Sequence, residues 1–237
     1  MNPKRLLPIA AVLIAASLVV GCSTEPQKAP SASALPTPSA SVAVPTGTVG
    51  AAHLDDGFVQ IGTGPKVVDL FVDPLCPYCK LFEETSGELL FSEAATGRAT
   101  LRVHPLAILN RLSQGTNYST RAAAMFVAVA AESPDAAQAY LQALFEEQPA
   151  ENTRGLTDAR LQEIASTVGA SPITDDVAGY QAWVDTWSLN AVTGPLDATT
   201  EITTISHVPT IIVSGAVFPG NSDETDAFAA FYASAGL

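Results

Sequence analysis

The chain is short of thiols, of positive charge and of long apolar stretches. Cysteine occurs three times in 237 residues, as Cys22, Cys76 and Cys79. So few, two of them close together, exclude a small scaffold stapled by disulfides. Lysine and arginine number 11 against 24 aspartates and glutamates, for a net charge of −13. That balance argues against a nucleic-acid binder, whose affinity rests on neutralising phosphates. It also gives no electrostatic hold on anionic lipid. The apolar run from Leu6 to Val20 is shorter than the roughly 20 residues a spanning helix needs. Apolar side chains are nevertheless plentiful. They make up 47% of the chain, enough for a buried core and too many for a disordered polymer.

The first residues read as an address. Lys4 and Arg5 precede the apolar run, the order of an export signal, with a short retained anchor as the alternative. Val19-Val20-Gly21-Cys22 resembles the lipobox of bacterial lipoproteins, although Val19 stands where that family more often has leucine. The resemblance implies a signal peptide over 1–21, lipidation of the Cys22 thiol and cleavage before it. Two acyl chains would anchor the protein stably where one is marginal. Its place would then be the outer side of a bacterial membrane. Residues 22–50 are rich in proline, serine, alanine and threonine and cannot bury enough surface to offset their ordering entropy. They are expected to form a tether, about 30 Å end to end as a coil. A folded domain is expected over 51–237.

With Cys22 assigned to lipid, Cys76-Pro77-Tyr78-Cys79 needs its own explanation. One reading is a redox dithiol. A second is half of a copper or zinc site completed by His53, His104 or His207, although zinc sites with this spacing usually bring a second close pair of ligands. A third is an inert local disulfide, whose short loop would stabilise little. The flanking sequence bears on the choice. Val67 to Val72 is an apolar, β-rich run that reads as a central strand, and Phe58 to Ile61 as another; Gly62 to Pro65 punctuates them. Residues 80–97 read as a helix with Leu81, Phe82, Leu89 and Leu90 on its apolar side and Gly87 as a weak point. Pro77 then occupies the first helical turn, where its missing N–H costs nothing. Cys76 sits at a helix N-terminus, where unpaired N–H groups favour a thiolate. It is expected to be the exposed nucleophile, and Cys79, one turn further, the shielded resolving thiol.

Strand, Asp73-Pro74-Leu75-Cys76-Pro77-Tyr78-Cys79-Lys80, then helix resembles the active site of the DsbA-like thiol–disulfide oxidoreductases of the thioredoxin superfamily. Val208-Pro209-Thr210, before the apolar strand Ile211-Ile212-Val213, resembles the same family's cis-proline loop. The resemblance covers roughly 53–237 and is carried by these two motifs. It implies an α/β, thioredoxin-like fold with an inserted helical subdomain at about 115–195. Apolar stripes fit such an insertion: Ala122, Met125, Phe126 and Val129; Tyr140, Leu141, Leu144 and Phe145; Leu161, Ile164 and Val168; Tyr180, Trp183, Val184 and Trp187. The aromatic stripe reads as packing between insertion and sheet. Thr100 to Val103 reads as a further core strand, and a closing helix is expected from about Asp223 to Ser234.

The family likeness implies catalysis by Cys76 and Cys79, redox tuning by Pro77 and Tyr78, and substrate positioning by Val208, Pro209 and Thr210. It implies no organic cofactor and no metal. The substrates would be reduced exported proteins, the recycling redox partner is unidentified, and the protein is expected to be a monomer. Disulfide introduction is the expected direction, with reduction or isomerisation on the same fold, or metal handling, as alternatives. Three departures matter. The family's buried acid six residues before the first cysteine is Leu70 here, and Asp69, one residue earlier, is expected on the opposite strand face. Asp73 either raises the thiolate pKa or is a solvated loop acid. The dipeptide between the thiols has no cation, which His207 would supply if the proline loop brought it near; otherwise His207 is a surface residue.

Overall fold

The computed structural model describes residues 42–173 and 177–236. Residues 1–41 lie outside it, so the expected signal peptide, Cys22 and most of the expected tether are not among the described residues. One seven-stranded sheet organises the rest. Its strands are β1 (Thr48–Val49), β2 (Ala52–His53), β3 (Phe58–Ile61), β4 (Lys66–Val72), β5 (Ala99–Pro105), β6 (Thr210–Val213) and β7 (Ala216–Val217). They lie in the order β1-β2-β3-β5-β4-β6-β7, with β4 and β5 parallel and the other pairs antiparallel. β1 falls within the stretch expected as tether; residues 48–50 belong to the sheet and its first turn. Alternation hid this pair, because two-residue strands are too short to show it.

β4 sits between β5 and β6, buried on both faces from Val68 to Val72. That burial is why it reads as a continuous apolar run. Register sets Leu70 opposite Val103 of β5 and Ile211 of β6. The chain leaves β4 into α1 (Pro77–Phe82), which passes through a π-turn at Glu83–Gly87 into α2 (Glu88–Ala95). The expected single helix is therefore interrupted at Gly87. A β-carbon there would come within 3.2 Å of the Glu83 carboxylate. α7 (Thr225–Ser234) shares this side of the sheet: Lys66 donates to the Tyr232 carbonyl at 2.7 Å, and Phe82 meets Phe228 edge to face at 4.9 Å.

Helices α3 (Tyr118–Glu132), α4 (Ala137–Glu146), α5 (Asp158–Thr167) and α6 (Val177–Thr193) are inserted between β5 and β6. α3 is buried almost all round, its alanines letting neighbours approach closely. The four apolar stripes meet here: Phe126, Tyr140, Leu144, Leu161, Ile164, Trp183 and Val184 are all buried. The indole N–H groups of Trp183 and Trp187 both donate to the Leu54 carbonyl, at 2.7 and 3.1 Å. The aromatic stripe thus ties the insertion to the sheet, as its spacing suggests. β7 starts one residue earlier than the expected strand at Val217, and α7 two residues later than Asp223.

The turn Gly62 to Pro65 is held against β5. A β-carbon on Gly64 would come within 2.2 Å of the backbone of Arg98 and Ala99. Gly64→Ala should lower the unfolding free energy by about 1–3 kcal/mol, the usual cost of forcing extra atoms into packed structure, as measured by urea denaturation. An unchanged midpoint would show that this turn can relax.

Candidate active site

Cys76 is where strand geometry ends and helix geometry begins. It is the N-cap of α1, with φ −77° and ψ 116°, and Pro77 takes the first helical position. The N–H groups of Tyr78 and Cys79 face its sulfur and favour the thiolate, as does hydrogen bonding from the Cys79 thiol. Together they hold the Cys76 pKa below the ordinary thiol value, with the Cys79 contact contributing most, against burial and the charge of Asp73, which push it up. Cys79 moves the other way. Burial, the largest cause, and the neighbouring sulfur raise it well above the usual range. Two thiols three residues apart are thereby made unequal.

Sequence reasoning expected an exposed nucleophile, and the structure corrects this. Cys76 is only 4% exposed, and Cys79 is 1% exposed. The cover over Cys76 comes from 132 residues downstream, where its thiol donates to the Val208 carbonyl at 3.3 Å. The Val208–Pro209 peptide bond is cis, as the resemblance implies. Val208, Pro209 and Thr210 are buried, and the Thr210 hydroxyl donates to the His207 carbonyl at 2.7 Å. Pro77 and Tyr78, the latter 64% exposed, are the residues of the dithiol turn that face solvent.

Asp73 is fully buried, which removes the solvated-loop reading. Its Oδ1 accepts from the Leu75 N–H and its Oδ2 from the Leu109 N–H, both at 2.9 Å. Burial outweighs these bonds and pushes its pKa up to about 6, and its charge opposes ionisation of both cysteines. Asp69 lies on the opposite face, as alternation requires. It is bonded to His104 Nε2 at 3.0 Å and takes no part near the sulfurs. His207 is exposed, with its Nδ1 3.1 Å from Ser206 Oγ; the groups that lower Cys76 belong to Cys79 and Tyr78. The metal reading needed the thiols grouped with a histidine. Among the described residues no set of three or more His, Cys, Asp or Glu is placed to hold an ion.

One contributor escaped the sequence reading. The Gln148 amide, just beyond α4, donates to the carbonyls of Pro74 and Cys76, both at 3.0 Å. It clamps the dithiol turn from the insertion. A glutamine in a polar stretch carries no signal of this; only the docking of α4 brings it near.

A family model described as Thioredoxin matches residues 62–231. The chain belongs to the thioredoxin family. Its fold is DsbA-like. Reduced DsbA from Mycobacterium tuberculosis aligns with a TM-score of 0.59 at 26% identity, over 70% of this chain and 86% of that one. Reduced DsbG, a disulfide bond oxidoreductase from the same organism, aligns with a TM-score of 0.60 at 26% identity, over 73% and 84%. In fold alone, the thiol–disulfide oxidoreductase MdbA from Corynebacterium diphtheriae aligns with a TM-score of 0.62 at 19% identity, over 78% and 95%. A curated relative, the serine/threonine-protein kinase PknE of Mycobacterium tuberculosis, is 37% identical over 124 residues, half of this thioredoxin-family chain but only 22% of the kinase.

Asp73 makes a prediction of definite sign. Its pKa rises from 3.8 to about 6, so folding favours the protonated acid. The stabilisation is present below pH 3.8 and is lost as pH climbs through about 6. Relative to Asp73→Asn, the parent protein should lose about 3 kcal/mol of stability between about pH 3.5 and 7, read by denaturant titration at each pH. The same variant should move the alkylation midpoint of Cys76 to lower pH. Parallel stability curves would show Asp73 to be unperturbed.

Proposed function

We propose that this thioredoxin-family protein is a thiol–disulfide oxidoreductase that works outside the cytoplasm and passes the Cys76–Cys79 disulfide to reduced exported proteins. The observation that carries the reading is the inequality of the two sulfurs under the Val208–Pro209 loop. The Cys79 thiol and the N–H groups at the start of α1 favour the thiolate on Cys76, burial pushes the Cys79 thiol up, and the Cys76 sulfur lies 3.3 Å from the Val208 carbonyl. The likeness to DsbA and DsbG supports it. A lipid on Cys22 and the polar stretch behind it would hold the domain near a membrane. Among the described residues no helix is long and apolar enough to cross one.

The chemistry runs in two exchanges. A substrate thiolate attacks Cys76 Sγ in the oxidised protein. A mixed disulfide forms, the Cys76–Cys79 bond breaks, and Cys79 leaves with the electron pair. Its raised pKa ensures that it takes up a proton. A second substrate thiolate then attacks the substrate sulfur of the mixed disulfide. Cys76 leaves as the thiolate that the helix N–H groups stabilise, and a low-pKa thiol leaves readily. Two electrons pass from two substrate thiols to the dithiol, and an external redox partner must remove them. The Val208 carbonyl beside Cys76 offers the acceptor against which an extended substrate segment would pair, with Pro209 and Thr210 fixing the loop. Pro77 and Tyr78 set the turn between the thiols. Because no cation lies between them, the oxidising power should fall short of family members that carry histidine there.

Equilibration of the purified domain with a glutathione series, coupled to oxidation of a reduced unfolded protein, tests this directly. Oxidase activity should be present, and Cys76→Ser should abolish it. Cys79→Ser should accumulate a mixed disulfide through Cys76. Alkylation of Cys76 should show a midpoint below that of an ordinary thiol, about 8.5. A dithiol as reducing as thioredoxin, with no substrate oxidation, would remove the oxidase direction in favour of reduction.

A further inference from the structure

The sheet face turned away from α1 and α7 carries a second feature, separate from the dithiol. A cavity of about 310 Å³ lies between that face and the end of α6 with the segment that follows it. This is the small end of the range for ligand sites, about 300–1,000 Å³. Phe58, Phe71 and Trp187 contribute aromatic walls; Arg102, His104 and Asp69 contribute polar groups on the sheet and Asn190 one on α6.

The charges of those polar groups can be worked out from their hydrogen bonds. His104 Nδ1 lies 2.9 Å from the Gly57 carbonyl, which only accepts, so Nδ1 must carry a proton. His104 Nε2 lies 3.0 Å from Asp69 Oδ1, so a second proton sits between them. Whichever atom holds it, the pair has no net charge. The Phe71 ring stacks on His104 at 4.1 Å and fixes its plane. Arg102 is different. Its guanidinium lies 5.1 Å from the Phe58 ring centroid, and its Nε is buried with no hydrogen-bond partner among the described residues. No carboxylate pairs with it in any salt bridge among them. A cation packed on an aromatic face beside a neutral pair, with a donor left over, is a receptor for an anionic group. The acids that also line the cavity, Asp55, Asp56 and Asp197, are all exposed. They place negative charge at the solvent side, where it opposes any anion and a doubly charged one about twice as strongly, so only a single carboxylate seated directly on the Arg102 guanidinium is favoured.

We propose that this cavity binds a small monoanionic carboxylate with an aromatic or comparably apolar body, its carboxylate on Arg102 and its body against Phe58, Phe71 and Trp187. The site uses neither cysteine, so it stands independently of the redox reading.

The test is an NMR titration of the reduced full-length protein with 3-phenylpropanoate, following the Trp187 indole N–H. Saturable shifts with a Kd of about 1 mM or tighter are expected. The neutral isostere 3-phenylpropanamide should bind at least about tenfold more weakly, because it cannot form the charge-assisted bonds. Benzylmalonate, the same skeleton with a second carboxylate, should also bind more weakly than 3-phenylpropanoate. Arg102→Gln should abolish the preference for acid over amide, and Arg102→Lys should restore part of it. Equal binding of acid and amide by the parent protein, no saturation by about 10 mM, or an unchanged preference in a folded Arg102→Gln variant would each overturn the proposal. The acid–amide comparison involves no substitution, so it decides the matter even if the variants fold poorly.

Discussion

The site depends on where one backbone changes conformation. Cys76 is extended enough to belong to the strand's exit, yet its carbonyl accepts from Cys79 and Lys80, at 3.0 and 3.2 Å, as the first hydrogen bonds of the helix. That position turns the N–H groups of Tyr78 and Cys79, in the first turn of the helix, toward the sulfur. A residue earlier, the thiol would lie in the loop; a turn later, it would share the fate of Cys79. The two sulfurs differ because one sits at the start of the helix and the other inside it.

The turn is held from three directions, and each hold comes from a different part of the chain. Asp73 gathers the N–H groups of Leu75 and Leu109. Gln148 reaches from the insertion to the carbonyls of Pro74 and Cys76. The Val208 carbonyl meets the sulfur itself. Such a turn is pre-ordered, so in the proposed exchange less conformational entropy would be lost on meeting a substrate sulfur. Asp73 also works against the helix, since its charge opposes both thiolates. The Cys76 thiolate is therefore favoured by the Cys79 thiol and the local N–H groups and opposed by burial and by a buried acid.

β4 divides the molecule's chemistry by the pleat. Even positions from Lys66 to Val72 face α7 and the helix of the dithiol; Asp69 and Phe71 face His104, Arg102 and the end of α6. The acid one residue from the family's expected position is thus removed from the sulfurs by the period of two along a strand, and serves a different cluster. Parity of a single residue decides which of two sites a carboxylate can join.

Much of this was written locally in the chain. The dithiol, the proline at the first helical turn, the continuous apolar run of β4 and the stripes of α3 to α6 are short-range patterns, and short-range patterns determine secondary structure and the side of each element that must be buried. They also placed Asp69 on the far face. What they leave undetermined is proximity between distant segments. That Cys76 would be covered rather than open, that Asp73 would be buried and raised, that His207 would stay at the surface, that Gln148 would clamp the turn, and that Arg102 would be left unpaired beside a neutral His104–Asp69 pair all depend on how the insertion docks on the sheet and how β6 pairs with β4. Burial and unmatched charge are properties of the packed whole, because the field at a buried group is set by whatever surrounds it, and those neighbours lie tens of residues away along the chain.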